Sequence, residues 1–104
     1  MKTFILKDEQ GVCTGFEIYN NFISSGAIGR YIKRISSCRV SSIRKLFEKT
    51  EIHVTFMFKE IEFFVWETFG DSSHLIIGSE SDVNEKIIKE LEKEFFLTRS
   101  YFFW

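Results

Sequence analysis

The sequence predicts an α+β fold in which an antiparallel sheet, built on a central three-strand meander, packs with two to three helices. Three observations support this prediction. Residues 52–58 alternate between apolar and more polar side chains, and residues 82–96 carry apolar side chains at helical spacing. The length of 104 residues suits a single domain over residues 1–104, and a chain of this size buries roughly two-thirds of its unfolded surface around one core.

The first elements are predicted to be a short strand and then helices. Residues 2–6, KTFIL, favour an N-terminal strand of the sheet. From about residue 16, apolar side chains recur mostly three or four positions apart, at Phe16, Tyr19, Phe22, Ile23, Ile28, Tyr31, Ile32 and Ile35. Residues 24–26, SSG, would bend or break this run, so the pattern allows one kinked helix or two. A further helical stripe follows at Val40, Ile43, Leu46 and Phe47.

The meander is predicted from the change of period after residue 50. Lys59 and Glu60 fall where a tight hairpin turn would join the strand over 52–58 to a second strand. That second strand is apolar on both faces, which is typical of a central strand covered on both sides. The segment GDSS at 70–73 is read as a turn before the third apolar strand at 74–78. Strands joined by short turns are antiparallel.

A last helix and an aromatic tail complete the predicted chain order. Ser79 and Ser81 are candidate N-caps for a helix over about 82–96, whose apolar stripe is Val83, Ile87, Ile88, Leu91 and Phe95. The C-terminal residues YFFW have strand propensity. Because four exposed aromatic rings are costly in water, we expect this tail to dock on the sheet or on a partner.

Composition excludes several classes of protein. Fourteen basic and fifteen acidic residues, with 17% aromatic residues, exclude a typical disordered tail. Cys13 and Cys38 lie far apart, and with two unclustered histidines they do not supply the four ligands of a structural zinc site. We expect no metal, cofactor or small-molecule substrate. The N-terminus becomes charged after three apolar residues, and no apolar run approaches the ~18–20 residues of a membrane span, so we expect a cytoplasmic protein with no membrane partner.

The sequence around the histidines and serines lacks a recognised catalytic motif. His74 stands beside Asp71, Ser72 and Ser73 in the sequence, but catalytic triads are assembled from distant segments, and no GxSxG motif is present. We therefore expect no enzymatic activity and no catalytic residues. The alternative is a metal-independent ribonuclease that uses His53 and His74 as its acid–base pair.

The two halves of the chain carry opposite charge. Residues 30–49 hold seven basic side chains and one acidic one, whereas residues 51–94 hold eleven acidic and four basic side chains. Arg30, Lys33 and Arg34 share one predicted helical face, so a small nucleic-acid-binding protein that uses segment 30–49 is a second alternative. The isoelectric point near 6.1 weighs against it, and nucleic acid is not the partner that we expect.

Acidic and aromatic residues in the second half predict a protein-binding surface. Trp66, Phe64, Phe69 and the aromatic tail exceed what one small core obviously needs, although a phenylalanine-rich core explains them as well. Aromatic anchors surrounded by charge are typical of tight protein interfaces, and an acidic surface complements a basic partner such as the substrate groove of a nuclease. The candidate binding residues are Glu60, Glu62, Glu67, Asp71 and His74.

The segment FFVWETFGDSSHLIIGS, residues 63–79, resembles a stretch seen in small bacterial proteins encoded beside polymorphic toxins. Its pattern is an aromatic strand, then F/Y-G-D-x-S, then an apolar strand. The chain resembles these immunity proteins, particularly those of contact-dependent growth inhibition systems. The resemblance implies a cytoplasmic, non-enzymatic inhibitor. Such a protein binds the C-terminal domain of a cognate toxin, often a nuclease, and occludes its active site. No functional residue transfers from the resemblance.

Overall fold

The computed structural model describes residues 2–22, 24–45, 50–68 and 71–98. Within them the chain forms a six-stranded antiparallel sheet and two helices, which confirms the predicted α+β class. The elements are β1 Thr3–Lys7, β2 Cys13–Tyr19, α1 Ser25–Lys33, β3 Cys38–Ile43, β4 Ile52–Phe58, β5 Ile61–Thr68, β6 Asp71–Gly78 and α2 Glu85–Leu97.

The strand order is β1-β2-β6-β5-β4-β3, and every neighbouring pair is antiparallel. The predicted three-strand meander is present as β4–β5–β6. Its first turn has positive φ at both Lys59 (52°) and Glu60 (61°), the backbone of a two-residue hairpin turn that matches the twist of the strands. The hairpin β1–β2 joins the meander through β6, so β2 and β6 form the junction between the two parts of the sheet.

Both helices cover the same face of the sheet, and the core lies between them. Helix α1 packs on β3 and β4, and helix α2 packs on β2 and β1. Alternate strand residues point into this core and are at most 1% exposed: Phe16, Ile18, Val54, Phe56, Phe63, Val65, Leu75 and Ile77. We call this side of the sheet the covered face. Phe95 of α2 contacts the rings of Phe16 and Phe56 and joins the helix to the sheet.

Helix α1 is held by its first residues and by a close approach to β3. The side chain of Ser24 caps the helix by accepting a hydrogen bond from the Ala27 N–H at 3.1 Å. A Cβ atom at Gly29 would lie 2.5 Å from Cδ1 of Ile43, so the absence of a side chain there lets the helix pack directly on β3. This packing fixes the start of α1 above the start of β4, where Ser25 contacts His53.

The helices predicted over residues 16–23 and 40–47 are wrong, because β2 and β3 occupy these regions. In β2 the apolar residues face both sides of the sheet, so Phe16 and Tyr19 imitate a helical spacing by chance. In β3 the register shifts between Val40 and Ser42, and this bulge turns Val40 and Ile43 to the covered face although they are three positions apart. Of the remaining stripe residues, Ile23, Leu46 and Phe47 lie outside the described residues.

Three element boundaries also differ from the predictions. The serines of GDSS belong to strand β6, whereas the turn was predicted to extend through residue 73. The N-cap of α2 is Asn84 rather than Ser79 or Ser81, and its side chain accepts from the Lys86 N–H. Ser79 instead donates to the Glu62 carbonyl oxygen at 2.7 Å. The strand β1 and the helix over about 82–96 are confirmed, and the aromatic tail lies outside the described residues.

Candidate functional site

The face of the sheet opposite the helices is rich in aromatic side chains, and neither described helix covers it. The register places Tyr19 beside His74, and Ile76 beside both Glu17 and Trp66. We call this surface the open face and define it by Phe4, Glu17, Tyr19, Glu62, Phe64, Trp66, His74 and Ile76. The prediction that the second strand of the meander is covered on both sides is therefore wrong for the described residues, since Phe64 and Trp66 are only half-buried on the open face.

The rings of the open face support one another. Phe4 and Tyr19 are 36% and 41% exposed, and their rings meet edge to face with centroids 5.5 Å apart. The Tyr19 ring lies 4.8 Å from that of His74. The indole of Trp66 lies over Gly78, where a Cβ atom would be 3.1 Å from Cη2. These contacts place the rings against neighbouring groups, and large aromatic side chains of this kind are typical anchors at protein interfaces.

The structure separates the five predicted binding residues. Glu62 and His74 lie on the open face. Glu60 is exposed in the β4–β5 turn and does not lie on a strand face. Glu67 lies on the covered face, where its register partner is Leu75. The backbone of Asp71 begins β6, and its side chain lies outside the described residues. The predicted acidic patch is therefore divided between two sides of the sheet.

The positions of the histidines and of the basic side chains weigh against the two alternative functions, a ribonuclease and a nucleic-acid-binding protein. His53 lies on the covered face and His74 on the open face, so the two histidines cannot act as an acid–base pair on one phosphate group. Arg30 and Lys33 are exposed on α1, but Arg44 turns inward towards Glu67. Segment 30–49 therefore does not present all of its basic side chains on one surface.

A buried group of polar side chains lies where α1 begins. The register shifts between Ile52 and Val54, and this bulge turns His53 onto the covered face. Ser25 Oγ lies 2.9 Å from His53 Nδ1, and Glu67 Oε1 lies 3.4 Å from His53 Nε2. Arg44 Nη1 is 3.6 Å from the same carboxylate oxygen. We call Ser25, Arg44, His53 and Glu67 the polar cluster. They line a partly open cleft of about 220 Å³ with Asn20, Phe22, Ser24, Ile28 and Leu75.

The polar cluster was not predicted from the sequence. Ser25 and Arg44 were assigned to a helix break and a basic surface, and Glu67 was assigned to an acidic patch. The four residues come from four separate segments, and the bulge at His53 leaves no clear signal in the sequence. The alternation of β5 did contain one usable signal, because Glu62 and Glu67 are five positions apart and so point to opposite faces.

The environment of His53 predicts how stability depends on pH. Burial and the nearby Arg44 guanidinium lower the pKa of His53 below its usual 6.5, against the opposing effect of Glu67. The folded protein therefore binds this proton less readily than the unfolded chain. We expect the melting temperature to be highest above about pH 6.5 and to fall as the pH is lowered from 6.5 towards 5. Thermal unfolding followed by circular dichroism at several pH values measures this.

The variant His53→Gln tests whether His53 causes this pH dependence of stability, because glutamine keeps hydrogen-bonding groups but does not titrate. We expect its melting temperature to change less between pH 8 and pH 5 than that of the wild type. Equal pH dependence in the two proteins would show that another group is responsible.

No group of three or more His, Cys, Asp or Glu side chains that could hold a metal ion occurs in the part of the chain that the structure describes. Neither of the two described helices is long and apolar enough to cross a membrane. Burial raises the pKa of the Cys38 thiol to about 12, so this thiol is protonated at neutral pH.

Comparison with protein-family models, curated proteins and solved structures gives no match.

Proposed function

We propose that this chain is a cytoplasmic immunity protein that binds a cognate toxin domain, most simply a nuclease, and occludes its active site. The observation that supports this proposal is the open face, an aromatic surface that no described helix covers. The segment that resembles immunity proteins, residues 63–79, runs along β5 and β6 and supplies Phe64, Trp66, His74 and Ile76 of that face.

The chemistry of the open face suits a protein partner with basic groups. Tyrosine, tryptophan and phenylalanine supply much of the binding energy at interfaces because they bury large areas with little loss of side-chain freedom. Glu17 and Glu62 place carboxylates among the rings, and Glu60 adds a third at the adjoining turn. Such carboxylates would steer a positively charged nuclease groove towards the face and accelerate association.

The proposal predicts that a toxin domain is encoded directly upstream of this chain's reading frame, and the test uses that domain. We expect the wild-type protein to bind that domain and to suppress its toxicity on co-expression. Tyr19→Ala should weaken binding about thirtyfold, because loss of an interface anchor costs about 2 kcal/mol. Glu62→Lys should also weaken binding, with a larger effect at low salt. Titration calorimetry or surface plasmon resonance measures both changes.

Matched variants on the other side of the molecule provide the controls. Phe96→Ala removes a ring of α2 that is 58% exposed, and Glu94→Lys reverses the charge of an exposed side chain on the same helix. Both should bind as the wild type does. Full binding by Tyr19→Ala and Glu62→Lys would remove the open face from the proposal, and absence of any binding or protection by the wild type would contradict the immunity function.

A further inference from the structure

We propose that Ser25 is an activated nucleophile and that the polar cluster can transfer short acyl groups from esters through it. Nucleophilic catalysis requires a hydroxyl group, a base within hydrogen-bond reach and a third group that orients the base. The cluster places these groups together from distant segments, with 2.9 Å between Ser25 Oγ and His53 Nδ1 and 3.4 Å between His53 Nε2 and Glu67 Oε1. This proposal does not depend on the immunity function.

The charge of Glu67 favours one of the two neutral tautomers of His53. Its carboxylate lies beside Nε2, so the neutral tautomer with hydrogen on Nε2 is favoured. Nδ1 then keeps its lone pair and accepts the hydrogen bond that Ser25 Oγ–H donates. Here Nδ1 faces the serine and Nε2 faces the carboxylate, whereas in the usual serine hydrolase arrangement Nε2 faces the serine. The roles of base and orienting group are otherwise the same.

His53 is also suited to act as a base. The residue is only 7% exposed, and its pKa is lowered by burial and by Arg44 in spite of the opposing effect of Glu67. The imidazole is therefore unprotonated near neutral pH. Its Nε2 lies 3.4 Å from Glu67 Oε1 but falls short of hydrogen-bond geometry there, so Glu67 acts on the imidazole through its charge. A buried polar atom without a hydrogen bond is costly in a purely structural arrangement, and such atoms often mark functional sites.

The surroundings of Ser25 determine what can react there. Ser25 is the first residue of the nine-residue helix α1, and the positive end of a helix dipole stabilises developing negative charge. The guanidinium of Arg44 lines the same cleft, where it donates to the Thr50 carbonyl oxygen at 2.9 Å and lies 3.6 Å from Glu67 Oε1. Its charge adds to the positive potential in the cleft. The cleft volume of about 220 Å³ is below the ~300–1,000 Å³ of sites for drug-sized ligands, so a short acyl group is the expected substrate class.

The proposed reaction has two halves. Ser25 Oγ attacks the ester carbonyl carbon, its proton passes to His53 Nδ1, and an oxygen–carbon bond forms. The bond from that carbon to the leaving oxygen then breaks, and the departing alkoxide takes the proton from Nδ1. Water repeats the sequence on the acyl-serine and releases a carboxylic acid. Glu67 stabilises the imidazolium in both halves as a positioning residue.

The test treats the 104-residue chain with a small fluorophosphonate at pH 7.5 and locates the label by peptide mass spectrometry. We expect a serine Oγ–phosphorus bond at Ser25, with fluoride as the leaving group and the proton passing to His53. His53→Gln should label at least about a hundredfold more slowly, since a positioned general base contributes roughly 10²–10⁴-fold. Glu67→Gln should slow labelling to a smaller extent and change its pH profile.

Ser24 is the internal control, because it is exposed and adjacent to Ser25 but makes no contact with His53 among the contacts of the described residues. Labelling of Ser24 instead of Ser25, or of neither, would overturn the proposal. Equal labelling rates in the wild type and in a folded His53→Gln would also overturn it. Should His53→Gln fail to fold, as judged by circular dichroism, the position of the label in the wild type decides the question alone.

Discussion

Replacement of Phe95 by alanine is expected to lower the free energy of unfolding by about 3–5 kcal/mol, the usual cost of removing a buried phenylalanine ring. Phe95 is 0% exposed, and its ring contacts those of Phe16, Tyr31 and Phe56 at centroid distances of 5.2, 5.7 and 6.2 Å. The ring therefore joins α2 to the sheet and to α1. The change would leave a cavity where these three elements meet. Urea unfolding followed by circular dichroism measures the loss.

The adjacent residue gives a matched control. Phe96 is 58% exposed on the same helix, so Phe96→Ala should change the free energy of unfolding by no more than about 0.5 kcal/mol. The two variants remove the same atoms from the same element and differ only in the side of α2 that loses them. Similar losses in both would contradict the orientation of the helix described above.

Gly15→Ala is expected to lower the free energy of unfolding by about 2–3 kcal/mol, within the range for overpacked sites. A Cβ atom at this position would lie 2.5 Å from the Ile77 carbonyl oxygen. That oxygen belongs to the backbone of β6, so it can move only if β2 and β6 separate at the junction of the sheet. The lower backbone entropy of unfolded alanine would offset only about 0.5–1 kcal/mol of the cost. Thermal and urea unfolding measure the change.

The residue opposite provides the comparison. Gly15 pairs with Gly78, where a Cβ atom would lie 3.1 Å from Trp66 Cη2 and 3.3 Å from the Thr14 carbonyl oxygen. The indole can tilt by a few tenths of an ångström, so Gly78→Ala should cost about 1 kcal/mol and less than Gly15→Ala. A larger loss in the free energy of unfolding for Gly78→Ala than for Gly15→Ala would show that the contact with the Ile77 carbonyl oxygen does not determine the cost at Gly15.

The parts of the fold that were predicted correctly depend on local patterns. Residues 52–58 alternate between apolar and more polar side chains, and the first turn of the meander falls at Lys59 and Glu60. The first hairpin of the meander can therefore be predicted without knowledge of any other segment. Helix α2 carries its own apolar stripe, and β1 is a short apolar run. In each case the residues that determine the element are adjacent in the sequence, and pattern and structure agree.

The parts that were predicted wrongly depend on distant partners. Strand β2 becomes a strand because β1 and β6 supply hydrogen bonds on both sides, and its apolar residues on two faces conceal the period of two. Strand β3 contains a bulge that imitates helical spacing. The polar cluster likewise requires a bulge at His53 and a helix start at Ser25, and these meet only after the sheet has formed. Local sequence carries no information about such a meeting.

The pairing of β2 with β6 also affects the rate of folding. Tyr19 and His74 are register partners, so the chain must close a loop of roughly fifty residues before the N-terminal hairpin joins the meander. Ideal-chain statistics put the entropic cost of such closure at roughly 3.5 kcal/mol. The hairpin and the meander are each assembled from short-range contacts, whereas their union has a high contact order, and proteins dominated by such non-local pairings fold slowly. We therefore expect the pairing of the N-terminal hairpin with the meander to be the slow step of folding.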